Sequence, residues 1–392
     1  MNALTLDRLG RAEEIVASLP PPAYEVNYQP TYADRGQLLR AVHETLGIDP
    51  VTTPQQVNAL TGHLAIARAS EGQIPIIQTS GCAEFVDMNT PVDELVDTAV
   101  SEIDLVLSVL PRAIYIGRKC GQNAKPRSSR YQTLTNGVVV PSYMGDMING
   151  LDPAERDPDP SRLVAAALQA KALAQGMRRK LGYEPWVSHE ALSLAYEMSF
   201  LRDGYLLSGH TLWIGKRTNK VEGPHVQMMS RVENTVGAKL GPDSDANHVR
   251  ELVNALNPHR KVGKLLFMIR VGKDEKAMDT ILDGIAKEDP GANVMYDIHA
   301  TKRKPKSEGR VQKVRAVPDI IDDILLLASA CKAHGLSLGG LHLETHTINN
   351  RYECVDEADQ LPKHLSAVDP GLNPRQTVRV LKETAHIFAG NN

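Results

Sequence analysis

Eight short apolar runs recur along the chain, and each leads within a few residues to a side chain that can bind a metal, hold an anion or transfer a proton. Amphipathic segments of helical length separate most of the runs. They span residues 74–79, 113–116, 185–187, 211–214, 236–238, 265–269, 294–296 and 338–343. In a (β/α)8 barrel the reactive residues sit at the carboxyl ends of the strands. Because a random scatter of reactive side chains would not follow that polarity, the pattern predicts an α/β fold of this type, a (β/α)8 TIM barrel.

The length of the chain predicts more than a barrel alone. It has 392 residues, whereas barrels of this class take about 250. We expect residues 1–70 to form an N-terminal extension with helices over 34–46 and 53–71, and residues 71–392 to form the catalytic barrel. A loop over 122–159 is long enough to serve as a lid or binding loop. A helix is predicted to follow it, over residues 160–181.

Composition excludes several classes of protein. A formal net charge of −3 gives no sign of nucleic-acid or membrane-surface binding. The longest apolar stretches stop well short of the roughly 20 residues that span a bilayer, and the N-terminus lacks a basic-then-apolar signal pattern. The cysteines have no disulfide or zinc-site spacing; they are Cys82, Cys120, Cys331 and Cys354. We therefore expect a cytoplasmic protein with neither nucleic-acid nor membrane partners.

Four residues form a candidate metal site: Cys82, His299, Glu344 and Asp369. Each has a structural alternative, as a buried thiol, a core histidine, an ion-pair member or the start of a turn. Three of them directly follow predicted strands one, seven and eight, which are neighbours in a closed barrel. A thiolate, an imidazole and two carboxylates together can accept Mn²⁺, Co²⁺, Fe²⁺ or Zn²⁺, because neither hard nor soft ligands dominate.

A second candidate set is cationic and also follows the predicted strands. It comprises Arg118, Lys125, Arg127, Arg217, Lys239 and Arg270, with Ser128 beside them. On the surface such residues need no explanation, but if they are buried they require anionic partners. A phosphorylated and carboxylated substrate would supply them. A further basic run, residues 302–306 with Lys313 and Arg315 behind it, is either a solvated charge cluster or a phosphate-facing flap.

Several segments resemble, in chain order, those of a known enzyme family. They read IIQTSGCAEF, IGRKCGQNAKPRSS, PSYMGDMING, SHEALSLAYE, HTLWIGKRTNKVEGPHV, NTVGAKLGP, GGLHLE and VDPGLNPRQ. The family is the class II 3-deoxy-D-arabino-heptulosonate 7-phosphate (DAHP) synthases, and the resemblance covers residues 75–380. Its members are (β/α)8 barrels that condense phosphoenolpyruvate with erythrose 4-phosphate and use one divalent metal.

The resemblance implies a role for each candidate residue. The metal, Mn²⁺ first and Co²⁺, Fe²⁺, Mg²⁺ or Zn²⁺ as alternatives, would be held by Cys82, His299, Glu344 and Asp369. Phosphoenolpyruvate would be held by Arg118, Arg217, Lys239 and Arg270. The sugar phosphate would be held by Lys125, Arg127 and Ser128. Catalytic roles fall to Lys125, Lys239 and Glu190, with His189 a further candidate for proton handling. The resemblance and the apolar N-terminal helices also imply a homodimer or larger homo-oligomer.

The chain departs from the family pattern mainly on the aldehyde side. Met144 stands where an Arg is frequent, and the segment 297–301 is one residue shorter than usual. A long helical insertion that some members carry between strands two and three is missing. Three functions stay open: DAHP synthesis, by an ordinary enzyme or a secondary-pathway copy; a related phosphoenolpyruvate condensation with another aldehyde or an amino-sugar phosphate; and a non-catalytic ligand-binding paralogue.

Overall fold

A closed barrel of eight strands forms the centre of the protein, as seen in a computed structural model that describes residues 3–21, 27–86, 90–134, 136–303, 312–346, 353–358 and 369–389. The strands are β1 (Ile76–Thr79), β2 (Ile114–Gly117), β3 (Trp186–Glu190), β4 (Thr211–Ile214), β5 (Val236–Leu240), β6 (Leu265–Ile269), β7 (Asn293–Asp297) and β8 (Leu338–His342). Around the barrel their order is β1-β8-β7-β6-β5-β4-β3-β2, and the registered pairs are parallel. The predicted (β/α)8 barrel is confirmed.

The strands read as apolar runs because both of their faces are covered. Every residue of β1 and of β4 through β8 is buried. Four strands, β2, β3, β5 and β7, extend past the ends of their apolar runs. As a result, His189 and Glu190 lie in β3, Lys239 lies in β5 and Asp297 lies in β7. The predicted ends were wrong there because ladder hydrogen bonds join main chains and continue past the last apolar side chain.

Helices surround the strands. They are α1 (Ala3–Ser18), α2 (Arg35–Thr45), α3 (Pro54–Ala69), α4 (Val92–Val109), α5 (Ser161–Leu181), α6 (Leu194–Ser199), α7 (Pro224–Met229), α8 (Ala246–Leu256), α9 (Glu275–Glu288), α10 (Val317–Ala333) and α11 (Pro374–Thr384). The predicted helices over 34–46, 53–71 and 160–181 correspond to α2, α3 and α5. Within the described ranges, no helix is long and apolar enough to cross a membrane.

In the part of the chain that the structure describes, three antiparallel hairpins lie in loops that follow barrel strands. The first joins Tyr131–Thr133 to Val139–Pro141, inside the predicted long loop. The second joins Leu201–Arg202 to Tyr205–Leu206, and it shares the β3–β4 connection with α6, a helix of only 6 residues. The expected helix-length segment is therefore absent from this connection within the described residues.

Close contacts divide the chain into two compact units. The first contains residues 1–58, 83–96 and 119–234, and in it α2 packs against α1, α5 and α6. The second contains residues 59–82, 97–118 and 235–392, with α8 on α9 and α10 on α11. The proposed division between an extension ending at residue 70 and a barrel stays a prediction.

Candidate active site

Three possible metal ligands, which we call the ligand cluster, meet in the second unit. They are Cys82, Glu344 and Asp369, all buried, and their ligand atoms lie within 4.8 Å of one another. Cys82 follows β1 and Glu344 follows the adjacent strand β8. Asp369 joins them because the chain after it runs beside the end of β8: Leu372 N–H donates to the Glu344 carbonyl at 2.8 Å, and His346 N–H donates to the Leu372 carbonyl at 2.7 Å.

His299, the fourth predicted ligand, is not part of the ligand cluster in the described residues. It follows β7 and is half-buried, and its Nδ1 lies 3.2 Å from the position that a Cβ on Gly272 would occupy. Burial lowers the pKa of His299, and Arg270 and Arg315 lower it further. Its assignment as a ligand stays a prediction.

Two buried arginines neutralise the carboxylates of the ligand cluster. Arg118 approaches Glu344 Oε1 at 3.4 Å, and Arg315 donates to the other oxygen of that carboxylate. Arg315 also donates to the Pro370 carbonyl at 2.5 Å and lies 3.9 Å from Asp369 Oδ2. Burial lowers the pKa of Arg315, but Glu344 and Asp369 more than compensate, so that the pKa lies above its ordinary value. The Arg315 guanidinium therefore remains charged.

Arg315 corrects one interpretation of the basic run. A solvated charge cluster is wrong for this residue, which is 2% exposed, because the chain turns inward after the third hairpin (Thr301–Arg303 with Gln312–Val314). Lys313 is half-exposed and bonds Asp369 Oδ1 at 2.5 Å. Residues 304–306 of the run lie outside the described residues. Arg315 follows no barrel strand, so strand-end polarity could not have identified it.

A second group of polar side chains fills the barrel interior around Lys239. The Lys239 ammonium donates to Asp297 Oδ1 at 3.0 Å and contacts His342 Nε2 at 3.1 Å. His342 Nδ1 lies 2.6 Å from Gln78 Oε1, and Arg270 approaches Asp297 Oδ2 at 3.8 Å. Burial lowers the pKa of Lys239, and Asp297 opposes that shift. Asp297 and His342 were missed, although both end barrel strands.

The predicted cations differ in exposure. Arg118 and Lys239 are buried, and their anionic partners are Glu344 and Asp297. Arg270, Lys125 and Arg127 are half-buried. Arg217 and Ser128 are exposed. The requirement for a buried anion therefore applies to only two of these cations, and the protein itself supplies it.

The phosphate loop, residues 125–128, contains the predicted sugar-phosphate ligands in the first unit. The Lys125 N–H donates to the Met144 carbonyl at 2.7 Å. Gly145 follows with φ 97°, and a Cβ there would lie 2.1 Å from the Asn123 carbonyl oxygen. Only glycine accepts both that conformation and that approach. The main chain therefore fixes where this loop begins.

Glu84 holds the segment just before the phosphate loop. Its carboxylate accepts three consecutive backbone N–H groups, from Cys120 at 3.1 Å and from Gly121 and Gln122 at 3.0 Å each. Charge-assisted bonds of this kind are stronger than neutral ones. Within the first unit, Glu84 therefore fixes the main chain that leads into the phosphate loop. The sequence segment CAEF contained this residue, but we had not singled it out.

His189 and Glu190, the candidates for proton handling, are held at the end of β3. His189 Nε2 lies 2.8 Å from Glu197 Oε1, and Ser208 donates to Glu197 Oε2 at 2.6 Å. The Glu190 N–H donates to Gln122 Oε1 at 2.9 Å. The Glu197 carboxylate orients the imidazole, as a buried carboxylate commonly does. The sequence segment SHEALSLAYE ends on Glu197, which lies within α6, but no role had been assigned to it.

Comparison with known proteins agrees with this geometry. The profile of the Class-II DAHP synthetase family matches residues 22–181 and 174–385. A probable phospho-2-dehydro-3-deoxyheptonate aldolase of Pseudomonas fluorescens is 30% identical over an alignment of 380 positions, which covers 90% of this chain and 93% of that protein. The phospho-2-dehydro-3-deoxyheptonate aldolase of Streptomyces coelicolor is 27% identical over 92% of this chain and 94% of its own.

Among solved structures, a phospho-2-dehydro-3-deoxyheptonate aldolase from Francisella tularensis shares the fold. Its TM-score is 0.56 at 15% identity, over 90% of this chain and 97% of that one. The profile match extends across nearly the whole chain, and the shared fold agrees with the closed barrel. The protein is an enzyme of the class-II DAHP synthetase family.

Proposed function

We propose that this enzyme condenses phosphoenolpyruvate with erythrose 4-phosphate to give DAHP and inorganic phosphate. The observation that carries the proposal is the ligand cluster with two buried arginines on its carboxylates, in the same unit as the buried Lys239. Family membership and the names of the relatives support the same reaction. A module that only binds a ligand has no need of a Lewis acid, so a set of metal ligands argues against a non-catalytic paralogue.

The metal requirement is part of the proposal. A thiolate and two buried carboxylates at this spacing form a mixed ligand set that fits Mn²⁺, Co²⁺, Fe²⁺ or Zn²⁺. Because carboxylates suit Mn²⁺, it is our first choice. Cys82, Glu344 and Asp369 would hold it, with His299 as the ligand carried over from the resemblance. Bound there, it would supply Lewis acidity at the aldehyde oxygen of the sugar.

Phosphoenolpyruvate is assigned to Arg118, Arg217, Lys239 and Arg270. Guanidinium groups match the two-oxygen geometry of phosphate and carboxylate, whereas an ammonium acts as a point charge. The burial of Arg118 and Lys239 supports this assignment, because a charge-assisted contact is stronger where water is excluded. The exposed position of Arg217 makes it the least supported member of the set.

The sugar phosphate is assigned to the phosphate loop, where Lys125, Arg127 and Ser128 would bind it. C3 of phosphoenolpyruvate attacks the aldehyde carbon, water adds at C2, and phosphate then leaves with the C2–O bond electrons. Holding both reactants in line replaces a bimolecular encounter with a local one. Lys125 and Lys239 would stabilise developing negative charge, and Glu190 and His189 are the candidates for moving the protons.

The test is a panel of aldose phosphates, each incubated with the enzyme, phosphoenolpyruvate and Mn²⁺. Phosphate release is followed in time, and products are identified by mass. We expect erythrose 4-phosphate to give DAHP, and Arg270→Ala to weaken phosphoenolpyruvate use by about 10- to 100-fold, as for a lost charge-assisted contact. No phosphate release with any aldose phosphate would overturn the proposal and favour a ligand-binding paralogue.

A second candidate is the same condensation with a different aldehyde or an amino-sugar phosphate. The observation that favours it is Met144, which stands where family members frequently have Arg and whose carbonyl holds Lys125. The shortened segment 297–301 lies on the same predicted side. In the panel, a higher kcat/KM for another aldose phosphate than for erythrose 4-phosphate would select this alternative. Membership of a secondary pathway, a cytoplasmic location and a homo-oligomeric state stay predictions.

A further inference from the structure

We propose that Gln78 and His342 are positioning residues that aim the Lys239 ammonium by holding the His342 imidazole in a single neutral tautomer. This inference rests on the proposed function, in which Lys239 binds phosphoenolpyruvate. It adds two residues that no candidate set contained. Both act through Lys239, and neither is assigned a contact with substrate.

The three side chains form a line inside the barrel. Gln78 lies in β1, His342 ends the adjacent strand β8, and Lys239 lies in β5. The distances along the line are 2.6 Å from Gln78 Oε1 to His342 Nδ1 and 3.1 Å from His342 Nε2 to the Lys239 ammonium. Gln78 and His342 are fully buried and Lys239 is 6% exposed. Because the His342 imidazole is fully buried between these two side chains, water is excluded as an alternative partner.

Hydrogen-bond inventory fixes the direction of every bond in this line. An ammonium can only donate, so His342 Nε2, which faces Lys239, must be the acceptor. A neutral imidazole has one acceptor and one N–H, and its proton therefore sits on Nδ1. The group that faces Nδ1 must then accept, and the amide oxygen of Gln78 does so. By accepting from Nδ1, the Gln78 oxygen thus stabilises the same tautomer that provides Lys239 with an acceptor.

These contacts set the direction in which the Lys239 ammonium points. Its ammonium has three N–H groups in tetrahedral arrangement, and Asp297 at 3.0 Å takes one while His342 takes another. With two of these directions set, the third is set as well. A long, flexible lysine that buries its charge would otherwise sample several rotamers. The pair Gln78 and His342 therefore supplies orientation, whereas Asp297 also supplies countercharge.

A pair of substitutions at His342 separates orientation from packing. The amide oxygen of a glutamine reaches about as far as Nε2, so His342→Gln keeps an acceptor for Lys239, whereas His342→Met keeps volume without one. We expect His342→Met to raise the KM for phosphoenolpyruvate by about 10- to 100-fold. His342→Gln should restore most of that loss, and the KM for the aldose phosphate should not change in either variant. Equal losses in both variants, at equal thermal stability, would reduce His342 to a packing residue.

Nitrogen-15 histidine NMR tests the tautomer without any turnover. The His342 signal is assigned by its loss in His342→Gln. We expect wild-type enzyme to show a proton on Nδ1 and a bare Nε2, and Gln78→Leu to lose this single tautomer. Gln78→Glu, which keeps an oxygen acceptor, should retain it. A proton on Nε2 in the wild type would overturn the inference and leave the proposed reaction untouched, whereas an intact tautomer without any condensation would overturn only the reaction.

Discussion

The ligand cluster and the phosphate loop stabilise their charged groups in opposite ways. In the ligand cluster, buried carboxylates are paired with buried guanidinium groups, and one of these, Arg315, contacts both Glu344 and Asp369. In the phosphate loop, the side chains of Lys125 and Arg127 are half-buried, and the main chain is held where the Lys125 N–H donates to the Met144 carbonyl.

This difference predicts how each region tolerates change. A buried ion pair that loses one partner leaves an uncompensated charge in a medium that solvates it poorly. A partly exposed cation that is lost is replaced by water. We therefore expect changes at the ligand cluster to affect folding and catalysis together, and changes at the phosphate loop to affect substrate binding alone.

Removal of the metal should give the largest effect and should act only through the ligand cluster. Excess EDTA is expected to abolish turnover, because the proposed chemistry needs a Lewis acid at the aldehyde. Cys82→Ala and His299→Ala should each lower metal affinity by at least about 10-fold, the loss found even for groups that merely support a ligand. Metal content after dialysis measures both, with Cys331→Ala, a buried thiol of α10, as the control. Full turnover in EDTA would remove the metal from the proposal, and normal metal content in His299→Ala would remove only the fourth ligand.

Arg315→Met should give the next largest effect, on stability. Without this guanidinium, Glu344 keeps only Arg118 and Asp369 keeps only its half-exposed partner Lys313 among the ion pairs described for them. Breaking a buried pair in this way costs about 3 to 5 kcal/mol in free energy of unfolding. The matched control is Lys313→Met, which removes a half-exposed cation from the same carboxylate and should cost less than about 1 kcal/mol. If urea unfolding gives the two variants similar losses in free energy of unfolding, buried and exposed ion pairs do not differ here as we expect.

Arg127→Ala should show the opposite behaviour at the phosphate loop. We expect the KM for the aldose phosphate to rise by about 10- to 100-fold, corresponding to roughly 1.5 to 3 kcal/mol. The free energy of unfolding should change by less than about 0.5 kcal/mol, because after burial it is Arg127 that most lowers the pKa of Arg156, so its removal relieves a repulsion. Arg130→Ala is the control, since Arg130 is exposed and lies 5.5 Å from the Tyr131 ring. A marked loss of stability in Arg127→Ala would show that the loop depends on its side chains after all.

The same two regions show what could be predicted from sequence. Cys82 and Glu344 were identified because parallel strands bring the residues after them to one end of the barrel, which is a local rule. Helices α2, α3 and α5 were predicted within two residues at each end, because apolar periodicity and breakers are also local signals. Helix α1 was not predicted, although the structure shows it over Ala3–Ser18.

Pairing between distant segments could not be predicted. Arg315 reaches the ligand cluster from a connection between a hairpin and α10, and Glu84 reaches three N–H groups some 36 residues ahead. Neither contact produces a periodic pattern in the sequence, because both depend on how loops fold back over the strand ends. For the phosphate loop, the family resemblance identified the residues, whereas only the structure showed the main-chain hydrogen bond that holds the loop.

Asp323 of α10 shows what happens to a buried carboxyl group without the pairing found in the ligand cluster. It is 8% exposed, and burial raises its pKa from 3.8 to about 6. Lys273 opposes the shift, whereas Asp319 and Asp322 add to it. No ion pair to Asp323 is found in the described residues, whereas Glu344 and Asp369 each have two. The prediction is that this carboxyl, unlike those of the ligand cluster, lowers stability when it ionises.

Asp323→Asn should therefore change the pH dependence of stability by the smallest amount predicted here. The folded state binds this proton more tightly than the unfolded chain, so the free energy of unfolding falls as the pH rises from about 4 through about 6 and is level above that. The full shift is worth about 3 kcal/mol, and contact with solvent reduces it to roughly 1 to 2 kcal/mol. The variant should match the parent near pH 4 and exceed it by that amount near pH 7.5 in urea unfolding. Asp322→Asn, at a 61% exposed neighbour, is the control and should keep the parent's fall. If Asp323→Asn keeps that fall as well, the carboxyl is solvated in the folded state, and pairing is not what distinguishes it from Glu344.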